Sequence, residues 1–206
     1  MAVSSTITDM TLDGGIPCLD LVNSGLGTYK DELIERLHHY TDLLTLAERS
    51  ALLGPDVIAK LKREAKRRPD EAALVLNSTR QVRLVMHKIF SPIAEGKTHS
   101  IDKSTLKEFN NFIIQANSTQ SFKIVEEKLA LSMHHSAHDL RRPLDAFIIS
   151  AYALLHYKDQ RYIKRCSRCQ WLFIDESKSH RRKWCNMQDC GSIVKSSRYY
   201  RKKRAL

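Results

Sequence analysis

Four of the chain's five cysteines fall in one short stretch, Cys166-x2-Cys169-x15-Cys185-x4-Cys190. Thiolates in two close pairs, joined by a loop of about 15 to 20 residues, are the ligand pattern of a structural zinc site, because Zn²⁺ takes four ligands in a tetrahedron. One Zn²⁺ ion on Cys166, Cys169, Cys185 and Cys190 is therefore expected. A Cys-x2-Cys pair alone is also the spacing of a redox dithiol, but that chemistry belongs to a βαβ setting, and four cysteines beside a basic rim favour metal. Thiolates close to Lys and Arg oxidise readily, so oxidation is a route by which the ion would be released. Cys18 lies in an apolar run and reads as a small buried hydrophobe. His134, His135 and His138 form a second histidine-rich spot with no carboxylate pattern around it, which reads as solvent-facing surface histidines rather than a metal site. The sequence shows no activated nucleophile, paired carboxylates or phosphate loop, so no enzyme activity is expected.

Charge is segregated along the chain. Residues 1–157 hold 19 Lys or Arg against 19 Asp or Glu, and residues 158–206 hold 15 against 4, so the whole net charge of +11 sits in the last quarter. Positive charge gathered next to a metal-ligand pattern is the footprint of a phosphate-binding surface, with a solvated tail as the bland alternative. The candidate nucleic-acid contacts are Arg181, Arg182, Lys183, Lys195, Arg198, Arg201, Lys202, Lys203 and Arg204. Projected at 100° per residue, Lys195, Arg198, Tyr199 and Lys202 share one face of a terminal helix, while Ile193, Ser197 and Tyr200 fall opposite. Neutralising roughly six phosphates would give log K a slope of about −5 against log salt. Nothing in these residues specifies a base sequence. Residues 60–68 are basic too, but Glu64 is among them and a solvated helix face is the default reading.

The elements that must position these groups follow from periodicity. Of 206 residues 42% are hydrophobic, enough for one buried core plus a small appendage. Glycines bracket the apolar run at 16–22, which reads as a strand or buried turn. Residues 31–117 read as helical: Leu33, Leu37, Tyr40, Leu43, Leu44 and Ala47 recur at helical intervals, Gly54-Pro55 breaks the run, and Pro69 opens a long segment with an apolar stripe. Ser104 is the expected cap of a further helix. Residues 122–125 and 129–131 read as a hairpin, and a last core helix follows Pro143. Within the cysteine module, 171–174 and 182–184 suggest two short strands, and Cys190 is placed near the start of the terminal helix, where exposed amides and the helix dipole favour a thiolate. The expected fold is α+β: a mostly helical N-terminal domain with a small β-hairpin or sheet, residues 1–160, then a treble-clef-like zinc finger, residues 161–206. So small a finger core needs metal for its stability. No apolar run reaches the 18 to 20 residues of a membrane span and no leader is evident, so a cytoplasmic protein that avoids membranes is expected.

Cys166-Ser167-Arg168-Cys169, Arg181-Arg182-Lys183-Trp184-Cys185-Asn186-Met187, Cys190-Gly191 and the basic Arg198-Tyr199-Tyr200-Arg201 together resemble the CGNR zinc-finger family. Upstream, Leu19-Asp20-Leu21-Val22-Asn23-Ser24, the helical segment at 33–47 and the hairpin resemble the ABATE domain that precedes such fingers. The resemblance implies a stress-responsive, zinc-dependent transcription regulator whose finger binds nucleic acid, double-stranded DNA first, and whose N-terminal domain senses a signal. A homodimer and a small-molecule effector are further partners it leaves open. An RNA-binding or protein-interaction module is the alternative use of the same tail. Where the family motif reads Cys-Gly-Asn-Arg, this chain reads Cys190-Gly191-Ser192-Ile193, so no contact assigned to that Arg carries over.

Overall fold

The computed structural model of the chain describes residues 6–27, 33–133 and 138–204. In chain order the elements are α1 (Pro17–Asn23), α2 (Tyr40–Arg49), α3 (Pro55–Arg67), α4 (Pro69–Ala94), α5 (Lys103–Asn117), the antiparallel hairpin β1 (Gln120–Val125) and β2 (Lys128–Met133), then α6 (Arg142–Tyr157), a second antiparallel hairpin of β3 (Ile163–Arg165) and β4 (Leu172–Ile174), and α7 (Ser192–Arg204). This is the expected α+β arrangement, a helical body followed by a cysteine-bearing module. Among the described residues no helix is long and apolar enough to cross a membrane.

The body is built around α4. Pro69 supplies a preset φ at its first turn, and 26 residues make a rod of about 39 Å. Ala72, Leu76, Thr79, Arg83, Met86 and Phe90 recur at three- and four-residue steps and are buried, so α1, α2, α3, α5 and α6 all pack on this helix, and its C-terminal half also meets β3 and β4. On α6 the buried set is Leu144, Phe147, Ile148, Ala151 and Leu154, the stripe expected after Pro143.

Four local expectations are corrected. The run at 16–22 is a helix, not a strand or turn: Pro17 occupies its first turn, and Cys18 to Asn23 are all buried, so neither alternation nor a stripe could reveal it. The helix read across 33–47 begins at Tyr40, because the Asp42 carboxylate accepts the N–H groups of His38 and His39 at 2.8 and 2.7 Å and ends an extended lead-in. Leu33 is 80% exposed and bridges to Leu26 across a strand-like contact. Asp102, rather than Ser104, caps α5. It accepts the Thr105 N–H at 2.7 Å, and the Ser104 hydroxyl donates to the same carboxylate, which as an ion is the stronger acceptor. Finally, β4 pairs not with 182–184 but with β3, in the register Ile163 to Ile174 and Arg165 to Leu172. The 182–184 segment has other partners: the Arg182 N–H donates to buried Asp175, and the Lys183 carbonyl accepts from Ser167.

Candidate metal centre and nucleic-acid interface

The first cysteine pair sits in the loop between β3 and β4. The Cys166 N–H donates to the Trp171 carbonyl at 2.8 Å and the Gln170 N–H returns to the Cys166 carbonyl at 3.1 Å, closing a tight knuckle in which Gln170 takes a positive φ of 65°. The second pair arrives by two ties. Ser167 N–H donates to the Lys183 carbonyl at 2.9 Å, and the buried Asp175 carboxylate accepts from the Ser177 hydroxyl at 2.7 Å and the Arg182 N–H at 2.9 Å. Asn186 then accepts the N–H groups of Gln188 and Asp189. Cys190 falls in one wide turn, Met187–Gly191, where the Gly191 N–H reaches back five residues to the Asn186 carbonyl at 3.1 Å. That turn runs straight into α7, so Cys190 stands at the head of the terminal helix, as expected.

All four Sγ atoms are buried and lie within 4.8 Å of one another. Cys169 and Cys185 are 3.6 Å apart and Cys185 and Cys190 are 3.8 Å apart, far beyond a disulfide bond and close to the edge of about 3.8 Å that four sulfurs 2.3 Å from one ion must have. The donor chemistry also calls for a cation. Hydrogen bonds from Cys169, Cys185 and Cys190 pull the Cys166 thiol far down, while the Cys166 thiolate pushes Cys169 and Cys185 far up. Crowded in this way, only an added positive charge ionises all four. The residues present fit one zinc ion. Arg168 donates to the Cys190 sulfur at 3.7 Å and offsets part of the thiolate charge.

The module is fastened to the body through the end of α1. Asn23, fully buried, donates to the Leu172 carbonyl and accepts the Leu172 N–H, both at 2.9 Å, so its side chain acts as an extra strand residue beside β4. Trp171 donates its indole N–H to the Gly27 carbonyl at 2.8 Å. The buried Arg36 guanidinium donates to the Leu26 carbonyl at 2.8 Å and lies over the Trp171 ring, 5.6 Å from its centroid. Ile174 N–H donates to the Gly14 carbonyl at 3.0 Å, Asn186 donates to Asp13 at 3.1 Å, and Arg165 pairs with Glu95 at 3.2 Å. Gly15, at φ +74°, brings the chain so close to Ile174 that a Cβ would lie 3.0 Å from its methyl group.

The candidate cations fall into groups. Arg181, Lys183, Lys195 and Lys203 are exposed. Arg182 is turned inward: its guanidinium donates to the Cys185 carbonyl and lies 5.1 Å from the Phe173 ring centroid, which makes it a brace for the second knuckle. The side chains of Arg198, Tyr199, Tyr200, Arg201, Lys202 and Arg204 lie outside the described residues. At the family-motif departure the Ser192 hydroxyl donates to the Met187 carbonyl at 3.1 Å and Ile193 is half-buried, so Lys195 is the first described cation of α7 that faces solvent. His138 pairs with Glu64 at 3.0 Å, and His134 and His135 lie outside the described residues. Cys18 is buried, and desolvation pushes its thiol up to about 12, as fits a hydrophobe. The roles of Asn23, Arg36, Arg168 and Asp175 depend on tertiary contacts that residue type and spacing do not reveal. An uncharged Asn in an apolar run was the one available signal.

Two protein-family profiles match the chain. Residues 15–155 match ABATE, described as "Putative stress-induced transcription regulator", and residues 162–203 match the CGNR zinc finger. No curated protein matches it.

Proposed function

The chain belongs to the ABATE family and ends in a CGNR zinc finger, and from that premise we propose that it is a stress-responsive regulator whose zinc-held α7 binds double-stranded DNA. The observation that carries the reading is α7 itself: 13 residues with six Lys or Arg and no acid, begun by the turn that carries Cys190. A cationic helix fixed at one end can be laid against phosphates without first being ordered, which avoids the entropy cost of a free tail. Exposed Arg181 and Lys183 extend the cationic surface next to the second knuckle. Arg182 contributes by holding Cys185 in place.

In this account zinc supplies folding free energy and charge neutralisation, and catalysis has no part. The helical body sets where the finger sits, and its input is a small-molecule effector. A cavity of ≈ 310 Å³ lined by Val22, Leu26, Glu35, Arg83, Leu84 and His87 offers that effector a place. Its wall includes Leu26, whose carbonyl also accepts from Arg36 and Trp171, so filling the cavity bears on the loop that seats the finger. Tyr199 and Tyr200 support a second reading, since aromatic rings stack on unpaired bases of single-stranded RNA.

Selection of bound fragments from genomic duplex DNA, with RNA competitors of equal length present, tests the proposal. Enriched duplexes that are lost when residues 195–206 are removed support it. RNA that displaces every duplex, or retention that survives the truncation, overturns it.

A further inference from the structure

Neither the metal centre nor the basic helix accounts for the hairpin of β1 and β2. Its register sets Phe122 opposite Leu131 and Ile124 opposite Leu129, and the two-residue period of a strand places Phe122, Ile124 and Leu129 on one face of the pleat. These side chains are 68%, 79% and 73% exposed, and Val125 at the tip is 53% exposed. The hairpin's main contacts are between its own two strands. An isolated two-stranded hairpin is marginal in water unless another layer covers its apolar face, and its open edges invite a partner. Scattered surface leucines need no explanation, but a contiguous apolar patch on the order of 500 Å² does.

We propose that this face is a self-association surface, on which two copies of the chain pack hairpin against hairpin across a two-fold axis, apolar face to apolar face about 10 Å apart. Charge argues for a second copy rather than a different partner. The register turns Lys123 and Lys128 to the opposite side of the pleat, so the face of Phe122, Ile124 and Leu129 attracts neither an acidic nor a basic surface and is matched by an equally uncharged apolar face, which a second copy supplies. Area argues the same way. Two such faces remove about 1,000 Å² from water, the lower limit for a specific interface, and the apolar character matches homodimers. Area alone does not fix affinity, so the mass has to be followed over a wide range of concentration. The inference stands apart from the DNA reading, because it is read by mass alone.

Sedimentation equilibrium of the zinc-loaded full chain, over concentrations on the order of 1 to 100 µM, is the test. The weight-average mass is expected to rise from 23.7 kDa to twice that value. Ile124→Lys and Leu129→Glu are each expected to weaken association by about 100-fold or more, since a charge would be buried without a partner. Ile124→Thr keeps β-branching and strand propensity and is expected to weaken it about tenfold with the hairpin intact. Lys123→Glu, on the opposite face, is expected to leave the dimer. A wild-type chain that stays at one-chain mass throughout, or dimerisation unchanged in all three face variants, overturns the proposal. So does a monomer that floats with uncharged phosphatidylcholine vesicles, which would assign the face to lipid.

Discussion

Asn23→Ala tests whether the finger is seated on the body by specific bonds or merely follows it in sequence. Asn23 is fully buried, and its amide makes both of its described bonds to one residue, Leu172. Removing the side chain leaves the Leu172 N–H and carbonyl buried without those partners. Each orphaned group costs about 1 to 3 kcal/mol, so the joint loses about 3 kcal/mol. A chain of this size loses about 2 to 4 °C of Tm per kcal/mol, which places the expected shift near 10 °C if unfolding is global. If the finger opens alone, the same energy appears as amide exchange at Leu172 about 100-fold faster than wild type, with exchange in α4 unchanged. Zinc content should stay at one ion per chain, because no sulfur is touched. Asn23→Asp retains an acceptor but buries a carboxylate against the Leu172 carbonyl, and is expected to be at least as damaging at neutral pH. A Tm within about 1 °C of wild type and exchange changed less than about threefold would refute the seating argument.

Three other perturbations probe separate parts of the molecule. Cys185→Ser, or chelation of wild type, is expected to lower bound zinc well below one ion per chain and to remove the near-ultraviolet signal of Trp171 and Trp184 while the helical far-ultraviolet signal of the body persists; full zinc occupancy in the variant would contradict the four-sulfur site. Burial pushes the Asp20 carboxyl from 3.8 up to about 7, against the Gly14 N–H bond that lowers it. Between those values the folded chain holds a proton that the unfolded chain has released, so this group's contribution to stability falls as pH rises from about 4 to 7 and is level above that. Asp20→Asn should therefore gain on wild type across the same window, by up to about 4 kcal/mol in urea titrations, whereas parallel pH profiles would show that Asp20 is ionised throughout. Gly25→Ala places a Cβ 2.8 Å from the Arg83 guanidinium carbon, and Arg83 cannot swing away because Glu35 grips both of its terminal nitrogens. A loss of about 1 to 3 kcal/mol is expected, and an unchanged denaturation midpoint would show that the contact relaxes freely.

The metal centre was legible because coordination chemistry restricts residue type and spacing together. Cys166, Cys169, Cys185 and Cys190 have few other reasons to stand at those intervals, and their sulfurs meet within 4.8 Å. Helices with one apolar face were legible for a similar reason, as at α6. Legibility failed where burial erased the pattern. Helix α1 is enclosed on every side, so its residues carry no period, and Leu33 and Leu37 mimic a helical interval from extended backbone. The pairing of β4 with β3 was hidden because three-residue strands are too short to alternate visibly, and the partner of a strand is a tertiary choice. The seating of the finger was hidden most deeply. It depends on Asn23, Arg36 and Trp171 meeting across more than 130 residues of chain, and a lone Asn in an apolar run signals a buried polar side chain without naming its partner.

Contact between the zinc-held cationic helix and DNA phosphates is read most directly from the affinity of the full zinc-loaded chain for a duplex as salt is varied. With about six phosphates neutralised, log K should fall against log salt with a slope near −5, and removal of residues 195–206 should flatten that slope to about −2 or less. A full-length slope already shallower than about −2, or one that the truncation leaves unchanged, would contradict the account.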